Sequence, residues 1–193
     1  MTTQINLDDP RVKRTRQLLQ QAFLSLMMEG RFRDITVQQI ADRATVNRAT
    51  FYAHFEDKFD LLDSAMRDLF KQELAAKLGD DSAWSRERLR TLVAGIFEMM
   101  AKTNHACAPS DRDFLPYLER AIQEETYVIL VGWMRQPGFP GAPSGVTTET
   151  LAMVWSWAIF GAATQWSRSE RSAQPEELVR QVTLTLLRTI EAS

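Results

Sequence analysis

TVQQIADRATVNRATFYAHFEDK, from Thr36 to Lys58, holds two short helical patterns side by side, with no glycine and no proline. The first begins at Thr36, where Gln39 three residues later completes a capping box that satisfies free backbone N–H groups. The second follows Asn47, a good N-terminal cap. Helices this short are not stable alone, so we expect both to pack against a neighbour.

A turn of three or four residues separates the two patterns, and Val46 is expected to plug it. The second helix directs Phe51 inward and its polar side chains outward. This arrangement is a helix-turn-helix, whose second helix can enter the major groove of DNA. A plain helical hairpin of the core is the alternative, and the caps together with the polar outer face disfavour it.

Charge is unevenly distributed along the chain. The whole protein carries 23 Lys and Arg against 25 Asp and Glu, a formal net charge of −2. Between Arg11 and His54, however, eight basic residues stand against three acidic ones. The segment from Arg11 to His54, here called the head, is therefore basic, and the rest of the chain, here called the body, is acidic. A basic head on an acidic body predicts a local contact with the phosphates of nucleic acid.

The stretch TVQQIADRATVNRATFYAHFEDKFDLL resembles the DNA-binding signature of the TetR/AcrR transcriptional regulators, and the resemblance covers about residues 10–70. The signature usually has glycine where this chain has Thr45, and serine where it has Asn47. Asparagine caps a helix as well as serine does. Thr45 must accept a turn conformation that glycine takes more easily, at a small cost in stability. The rest of the chain matches no family motif.

The resemblance implies two kinds of DNA contact from this head. Three residues at the start of the second helix would lie at base edges: Arg48, Ala49 and Thr50. Asn47, which caps that helix, is also expected to contact DNA. Contacts to the phosphate backbone would come from Thr36, Gln38, Tyr52, His54 and Lys58. Arg48 could take a guanine bidentately, and the methyl groups of Ala49 and Thr50 could meet that of a thymine. Arg14 and Arg16 lie on the preceding helix, where a charge run is usually a solvated face.

Helical patterns continue along the whole chain, so the predicted fold class is all-α. Pro10 opens the first helix, which ends at Gly30, and Asp57 caps a fourth that reaches about Leu78. Later helices are predicted over Arg86–Met100, from Asp113 to about Arg135, from Thr147 or Thr148 to about Arg168, and from Pro175 onward. We predict a three-helix helix-turn-helix DNA-binding domain over residues 1–56 and a helical regulatory and dimerisation domain over residues 57–193.

All five tryptophans lie in the body that follows the head. Trp155 and Trp157 are two positions apart on one helix, so they point to nearly opposite sides of it. A helix that is apolar on two sides packs between two partners. In the family that the head resembles, the last two helices pair with their copies in a dimer. We expect that interface to involve Trp157, Phe160, Val182 and Leu186; a helix buried inside a monomer is the alternative.

The inner helices of the body carry large apolar and aromatic side chains with few charges. Such stripes are more often plain core than a binding site. Ligand sites in helical domains nonetheless lie between helices and are lined by such residues. The candidate effector site comprises Phe97, Met100, Phe114, Tyr117, Leu118, Tyr127, Trp155 and Ile159. Its two tyrosine hydroxyls are the groups that could orient a small, mostly apolar or aromatic effector, neutral or cationic.

Motifs of other chemistries are missing from the sequence. It contains no Gly-rich phosphate loop, nucleophile elbow or zinc-protease motif, so we predict no catalytic residue, no enzyme activity and no cofactor. His105, Cys107, Asp111 and Asp113 lie close together but lack the paired Cys or His spacing of a metal site, so no metal is predicted. Nothing nearby plainly activates the Cys107 thiol, which disfavours a redox sensor.

The sequence also bears on location. No run of about 18 uncharged apolar residues predicts a membrane span. The N-terminus lacks a secretory signal, and a lone cysteine suits a reducing compartment. We expect a cytoplasmic protein that does not engage a membrane.

The function predicted from these features is that of a ligand-responsive transcriptional regulator. It would bind a palindromic operator in double-stranded DNA as a homodimer, act as a repressor, and release the operator on binding a small-molecule effector. A ligand-independent DNA-binding or architectural protein is the alternative. The large aromatic body disfavours it, because DNA binding alone does not need so many further residues.

Overall fold

Helices make up all the regular structure in the described part of the chain. The computed structural model describes residues 9–30, 32–79, 83–106, 115–169 and 174–191, and only the backbone of 103–106. The helices are α1 (Pro10–Glu29), α2 (Val37–Arg43), α3 (Arg48–His54), α4 (Lys58–Leu78), α5 (Arg86–Ala106), α6 (Leu115–Met134), α7 (Thr148–Arg168) and α8 (Pro175–Glu191). A 3-10 turn, Phe32–Asp34, joins α1 to α2. The predicted all-α fold is confirmed.

Side-chain caps form where the sequence predicts helix starts. The Thr36 hydroxyl oxygen accepts the backbone N–H of Gln39 at 3.2 Å, and Gln39 Oε1 accepts the Thr36 N–H at 2.8 Å. Asn47 Oδ1 accepts the N–H of Thr50 at 2.7 Å. Asp57 likewise accepts two backbone N–H groups from the first turn of α4. These bonds supply partners that the first turn of a helix lacks.

Two helix boundaries are better defined by the structure than by the sequence. α5 continues to Ala106, beyond its predicted end at Met100, because no glycine or proline interrupts the intervening residues. Asp113, predicted to cap α6, lies outside the described residues, and α6 is described from Leu115. Pro116 lies in its first turn, where a missing N–H is tolerated.

Two compact units divide the chain. The first comprises α1 to α3, α4 up to Asp68, and residues 115–118 of α6. The second comprises α4 from Leu69, α5, α6 from Glu119, α7 and α8. A boundary between independently folding domains after residue 56 stays a prediction.

The core of the first unit lies where α1, α2 and α3 contact one another. Phe23 of α1, Ile40 of α2 and Phe51 of α3 are fully buried. Burying a side chain of this size stabilises the fold by about 1.5–3 kcal/mol. Val46 is partly buried in the turn between α2 and α3, and its N–H donates to the carbonyl oxygen of Ala41 at 2.9 Å. The two short helices therefore owe their stability to tertiary packing.

The second unit is built on α5, which packs against α7 and α8. Trp155 of α7 is fully buried, with its ring centroid 6.2 Å from that of Trp84 and 6.4 Å from that of Phe139. Its Nε1–H donates to Thr189 Oγ1 of α8 at 3.1 Å. No helix in the described ranges is long and apolar enough to cross a bilayer.

Thr45, between α2 and α3, has a φ of 58°, as the departure from glycine at this position predicts. A β-branched side chain in this left-handed region is strained. We expect Thr45→Gly to relieve that strain and, after the larger loss of backbone entropy on folding, to raise the free energy of unfolding by about 0.5–1 kcal/mol. Urea denaturation of the two proteins measures the difference.

Ala53→Gly is the matched control, since Ala53 is exposed within helix α3. Glycine there should lower the free energy of unfolding by up to about 1 kcal/mol. Destabilisation by Thr45→Gly as well would show that the left-handed turn is not strained.

Candidate DNA-binding site

The outer face of α3 is polar and exposed. Arg48, Ala49 and Tyr52 all lie at the surface, while Phe51 on the opposite face is fully buried. Arg48 Nη2 donates to the Tyr52 hydroxyl at 3.1 Å, one helical turn away. The packing of Phe51 thus fixes which side of α3 is presented, and Arg48 and Tyr52 extend from that side together.

Other predicted contact residues are held by local hydrogen bonds. The Thr36 hydroxyl donates to Gln39 Oε1 at 2.9 Å, and the Thr50 hydroxyl donates to Asn47 Oδ1 at 3.0 Å. Gln38 Nε2 donates to Asp42 Oδ1 at 2.8 Å, one turn along α2. These bonds orient the side chains at the starts of α2 and α3 before any DNA is present.

Arg16 of α1 points inward and caps the end of α3. Its Nη1 donates to the backbone oxygen of His54 at 2.7 Å, and its Nη2 donates to Ser64 Oγ of α4 at 3.1 Å. The guanidinium lies 4.1 Å from the centre of the Phe55 ring. A cation at the carbonyl end of a helix is favourable, so Arg16 stabilises the end of α3. It does not lie on a solvated face of α1, as the charge run suggests.

Gln20, one turn further along α1, extends the same network. Its Nε2 donates to Ser64 Oγ at 3.0 Å and to Asp68 Oδ2 at 2.7 Å. Gln20 is itself buried. Polar pairs in such places fix how helices pack, here α1 on the first half of α4.

The imidazole of His54 is less suited to phosphate binding than the sequence implies. Burial, and then the charge of Arg16, lower the pKa of His54 below its ordinary value of 6.5. Its Nδ1 is buried with no hydrogen-bond partner among the described residues. At neutral pH the ring is therefore uncharged, and it could offer a phosphate a hydrogen bond but no positive charge.

Two basic residues of the head have charged or polar partners within it. Arg43 makes a bidentate pair with Glu29 at 2.7 and 2.8 Å, which lowers the pKa of Glu29 and raises that of Arg43. Lys58, for which a phosphate contact stays a prediction, donates to three backbone carbonyls of the segment between α1 and α2. Part of the positive charge counted in the sequence is thus paired within the head itself.

Four of the predicted effector residues lie in the core of the second unit. Phe97, Met100, Trp155 and Ile159 are all buried. Phe97 packs against Trp166, with ring centroids 5.5 Å apart. These contacts are those of a packed core, and lining an effector site stays a prediction for these residues.

The remaining predicted effector residues are placed differently. Tyr127 belongs to the second unit and is partly exposed. Tyr117 and Leu118 belong to the first unit, where the Tyr117 ring stacks on Phe59 at 5.8 Å. Phe114 lies outside the described residues. One pocket lined by the whole set stays a prediction.

A cleft of about 440 Å³ opens between α4 and α5 in the second unit. None of the predicted effector residues lines it. Its walls are formed by Lys77, Glu87, Arg90, Thr91, Ala94, Gly95 and Glu98. Charged walls that are open to solvent do not suit an apolar ligand.

The outer face of α7 carries exposed apolar side chains. Trp157 is 56% exposed, and Met153 and Val154 beside it are about half exposed as well. Phe160 is partly buried and its ring packs edge-on against that of Trp157 at 6.0 Å. This face agrees with the prediction that α7 is apolar on two sides.

On α8 the two predicted interface residues are less exposed than Trp157, and their place in a dimer interface stays a prediction. Leu186 is only 3% exposed, because it faces the core of its own unit, and Val182 is partly buried. Leu184, which the sequence reasoning missed, is 44% exposed. Both leucines fit the apolar pattern of the helix, so periodicity alone could not tell which one lies on the outer side.

Across the described residues, no three His, Cys, Asp or Glu side chains converge as a metal site. Cys107, Asp111 and Asp113, and the side chain of His105, lie outside what the structure describes. The prediction that they bind no metal is therefore untested.

Comparison with known proteins relates both the head and the body of this chain to bacterial transcriptional regulators. Residues 21–65 match the family model of bacterial regulatory proteins of the tetR family. The HTH-type transcriptional regulator BetI of Cronobacter sakazakii is 30% identical over 184 residues, which cover 89% of this chain and 87% of BetI. The uncharacterized HTH-type transcriptional regulator YxbF of Bacillus subtilis is 40% identical over 60 residues, 31% of this chain and 16% of YxbF.

Among solved structures, the transcriptional regulator FadR of Bacillus subtilis, in complex with stearoyl-CoA, has a similar fold. The TM-score is 0.51 at 18% sequence identity, with 88% of this chain and 96% of that chain covered. At this identity the likeness shows the fold alone. The match to BetI, however, extends over most of both sequences, and the family model falls on the helix-turn-helix described above. The chain therefore belongs to the tetR family of bacterial regulatory proteins and is a helix-turn-helix, DNA-binding transcriptional regulator.

Proposed function

We propose that this regulator binds a palindromic operator as a homodimer, represses transcription from it, and releases it when a small, mostly apolar effector binds. The observation that carries the proposal is the outer face of α3, where Arg48, Ala49 and Tyr52 are exposed on a helix anchored by Phe51. A helix presented in this way can enter a major groove with its first residues at base edges. We place the protein in the cytoplasm and assign it no enzymatic role.

Selection of bound DNA from a random pool tests operator binding directly. We expect a palindrome whose half-site centres lie about one helical turn, 34–36 Å, apart, because two recognition helices related by a twofold axis read successive major grooves. Recovery of DNA without any common sequence would contradict the proposal and favour an architectural DNA-binding protein.

Arg48→Ala tests the assignment of base contacts. Loss of a bidentate contact to guanine should weaken operator binding by about 1–3 kcal/mol per half-site and relax the preference at one base pair. Arg135→Ala is the matched control, since Arg135 is an exposed arginine paired with Glu149 in the second unit. Fluorescence anisotropy measures both variants, and an unchanged base preference in Arg48→Ala would assign recognition to other residues.

The homodimer is proposed to form through the outer face of α7 and Leu184 of α8. Residues 150–167 contain no charged side chain, and Ala158 and Gly161 are exposed beside Trp157. Small residues let two helices approach closely, and contiguous exposed apolar side chains mark interaction surfaces. A twofold axis would bring this face onto its own copy.

Trp157→Glu should dissociate the dimer, because an unpaired charge buried in an interface costs several kcal/mol. Val128→Glu is the matched control, since Val128 is an equally exposed apolar residue, 59% accessible, on α6. Analytical ultracentrifugation measures the association of both variants. A dimer that survives Trp157→Glu but not Val128→Glu would move the interface to α6.

The effector is proposed to bind among the apolar and aromatic side chains of the body. Trp155 reports on that region, since it lies beside Trp84 and Phe139. An effector should quench tryptophan fluorescence, raise the melting temperature and weaken operator binding together, because it stabilises one state at the expense of another. Trp155→Phe isolates the contribution of this residue. A panel of neutral and cationic apolar compounds that changes none of these quantities would leave a ligand-independent regulator.

A further inference from the structure

Lys58, the first residue of α4, makes three hydrogen bonds with its side-chain ammonium. Nζ donates to the backbone oxygens of Phe32 at 3.2 Å, Arg33 at 3.0 Å and Ile35 at 2.9 Å. An ammonium group has three N–H donors, so these contacts account for all of them. The side chain is partly buried, in keeping with an inward orientation.

The three carbonyls belong to the segment that leads into α2. Phe32 and Arg33 form the 3-10 turn, and Ile35 directly precedes Thr36, the N-terminal cap of α2. The Phe32 oxygen also accepts the backbone N–H of Ile35 at 3.3 Å, but carbonyls at the end of such a turn need partners from outside it. The ammonium gathers them around one charge and thereby fixes the backbone immediately before α2.

Aromatic rings hold the ammonium from its other sides. Nζ lies 4.8 Å from the centre of the Phe32 ring and 5.8 Å from that of Phe59. The two rings pack edge-on, with centroids 5.3 Å apart. A cation over an aromatic face is attracted to it, most strongly where water is excluded. The aromatic contacts and the carbonyls favour the same inward position.

We propose that Lys58 is a positioning residue that ties the start of α4 to the segment before α2, and that it does not contact a phosphate. It sets where Thr36 and Gln38 are presented, and this role rests on the proposed DNA binding. We call the three hydrogen bonds from the Lys58 ammonium to the carbonyls of Phe32, Arg33 and Ile35 the clamp. The clamp is a property of the free protein, so its effect on stability can be tested without DNA.

Replacing Lys58 with arginine distinguishes a phosphate contact from a positioning role. A planar guanidinium binds phosphate at least as well as an ammonium does, but its fork of donors does not converge on three carbonyls around one point. Salt dependence separates them too. Each lost phosphate contact lowers the slope of log affinity against log salt concentration by about 0.9, whereas a misplaced helix weakens binding with little change in slope.

The experiment compares Lys58→Arg and Lys58→Met with the wild-type protein. Thermal unfolding of the free proteins and anisotropy titrations of the selected operator at several salt concentrations are the two readouts. Lys102→Met is the control, since Lys102 is an exposed lysine paired with Glu98 on α5. We expect both Lys58 variants to unfold several degrees lower than wild type and to bind more weakly at every salt concentration, with the wild-type slope.

Two results would overturn the inference: Lys58→Arg with wild-type unfolding and wild-type affinity, or Lys58→Met with a flattened salt slope. Lys58→Arg keeps the positive charge, so this variant still decides the inference if Lys58→Met does not fold. Should no operator be found, the proposed function fails, while the unfolding midpoints still decide whether the clamp exists.

Discussion

The burial of Phe51 and Ile40 is the constraint on which the head of this protein depends. α2 and α3 have seven residues each, and helices shorter than about 12 residues are marginal in water without tertiary contacts. Both side chains are fully buried. Because buried side chains anchor each short helix, the rotation of each helix about its own axis is fixed as well. The polar face of α3 is set outward by the same contact that keeps this helix folded.

A second recurring feature is a basic side chain that donates to backbone carbonyls at the end of a helix or turn. Lys58 closes the turn before α2, Arg16 closes α3 at the carbonyl of His54, and Arg88 donates to the carbonyl of Leu78 at the end of α4 at 2.8 Å. Each cation also lies near an aromatic ring, at 4.8 Å from Phe32, 4.1 Å from Phe55 and 5.7 Å from Trp133 respectively. The ring keeps the long side chain in place and reduces the entropy lost in capping. In all three places a basic residue stabilises the protein's own backbone.

This feature also explains where prediction from the sequence succeeds and where it stops. Caps at helix starts, such as Asn47 with Thr50, join residues three apart, and their spacing is visible in the sequence. Lys58 and Arg16 bond to residues more than twenty positions away, so the sequence shows only their charge, which suits phosphate contacts and solvated faces equally well. The same limit applies to Phe139, whose place against Trp84 and Trp155 comes from a turn-rich segment without helical periodicity.

The uncharged outer face of α7 bears on how the stability of the protein depends on its concentration. If that face pairs with its copy, unfolding is coupled to dissociation, and mass action makes the free energy of unfolding rise with protein concentration. Trp157 and Val154 are exposed in the single chain, and under this proposal a newly made chain would leave them exposed until it met a second one. At low abundance the regulator would then be both less stable and less able to hold two recognition helices on one operator, so its stability and occupancy of DNA would fall together.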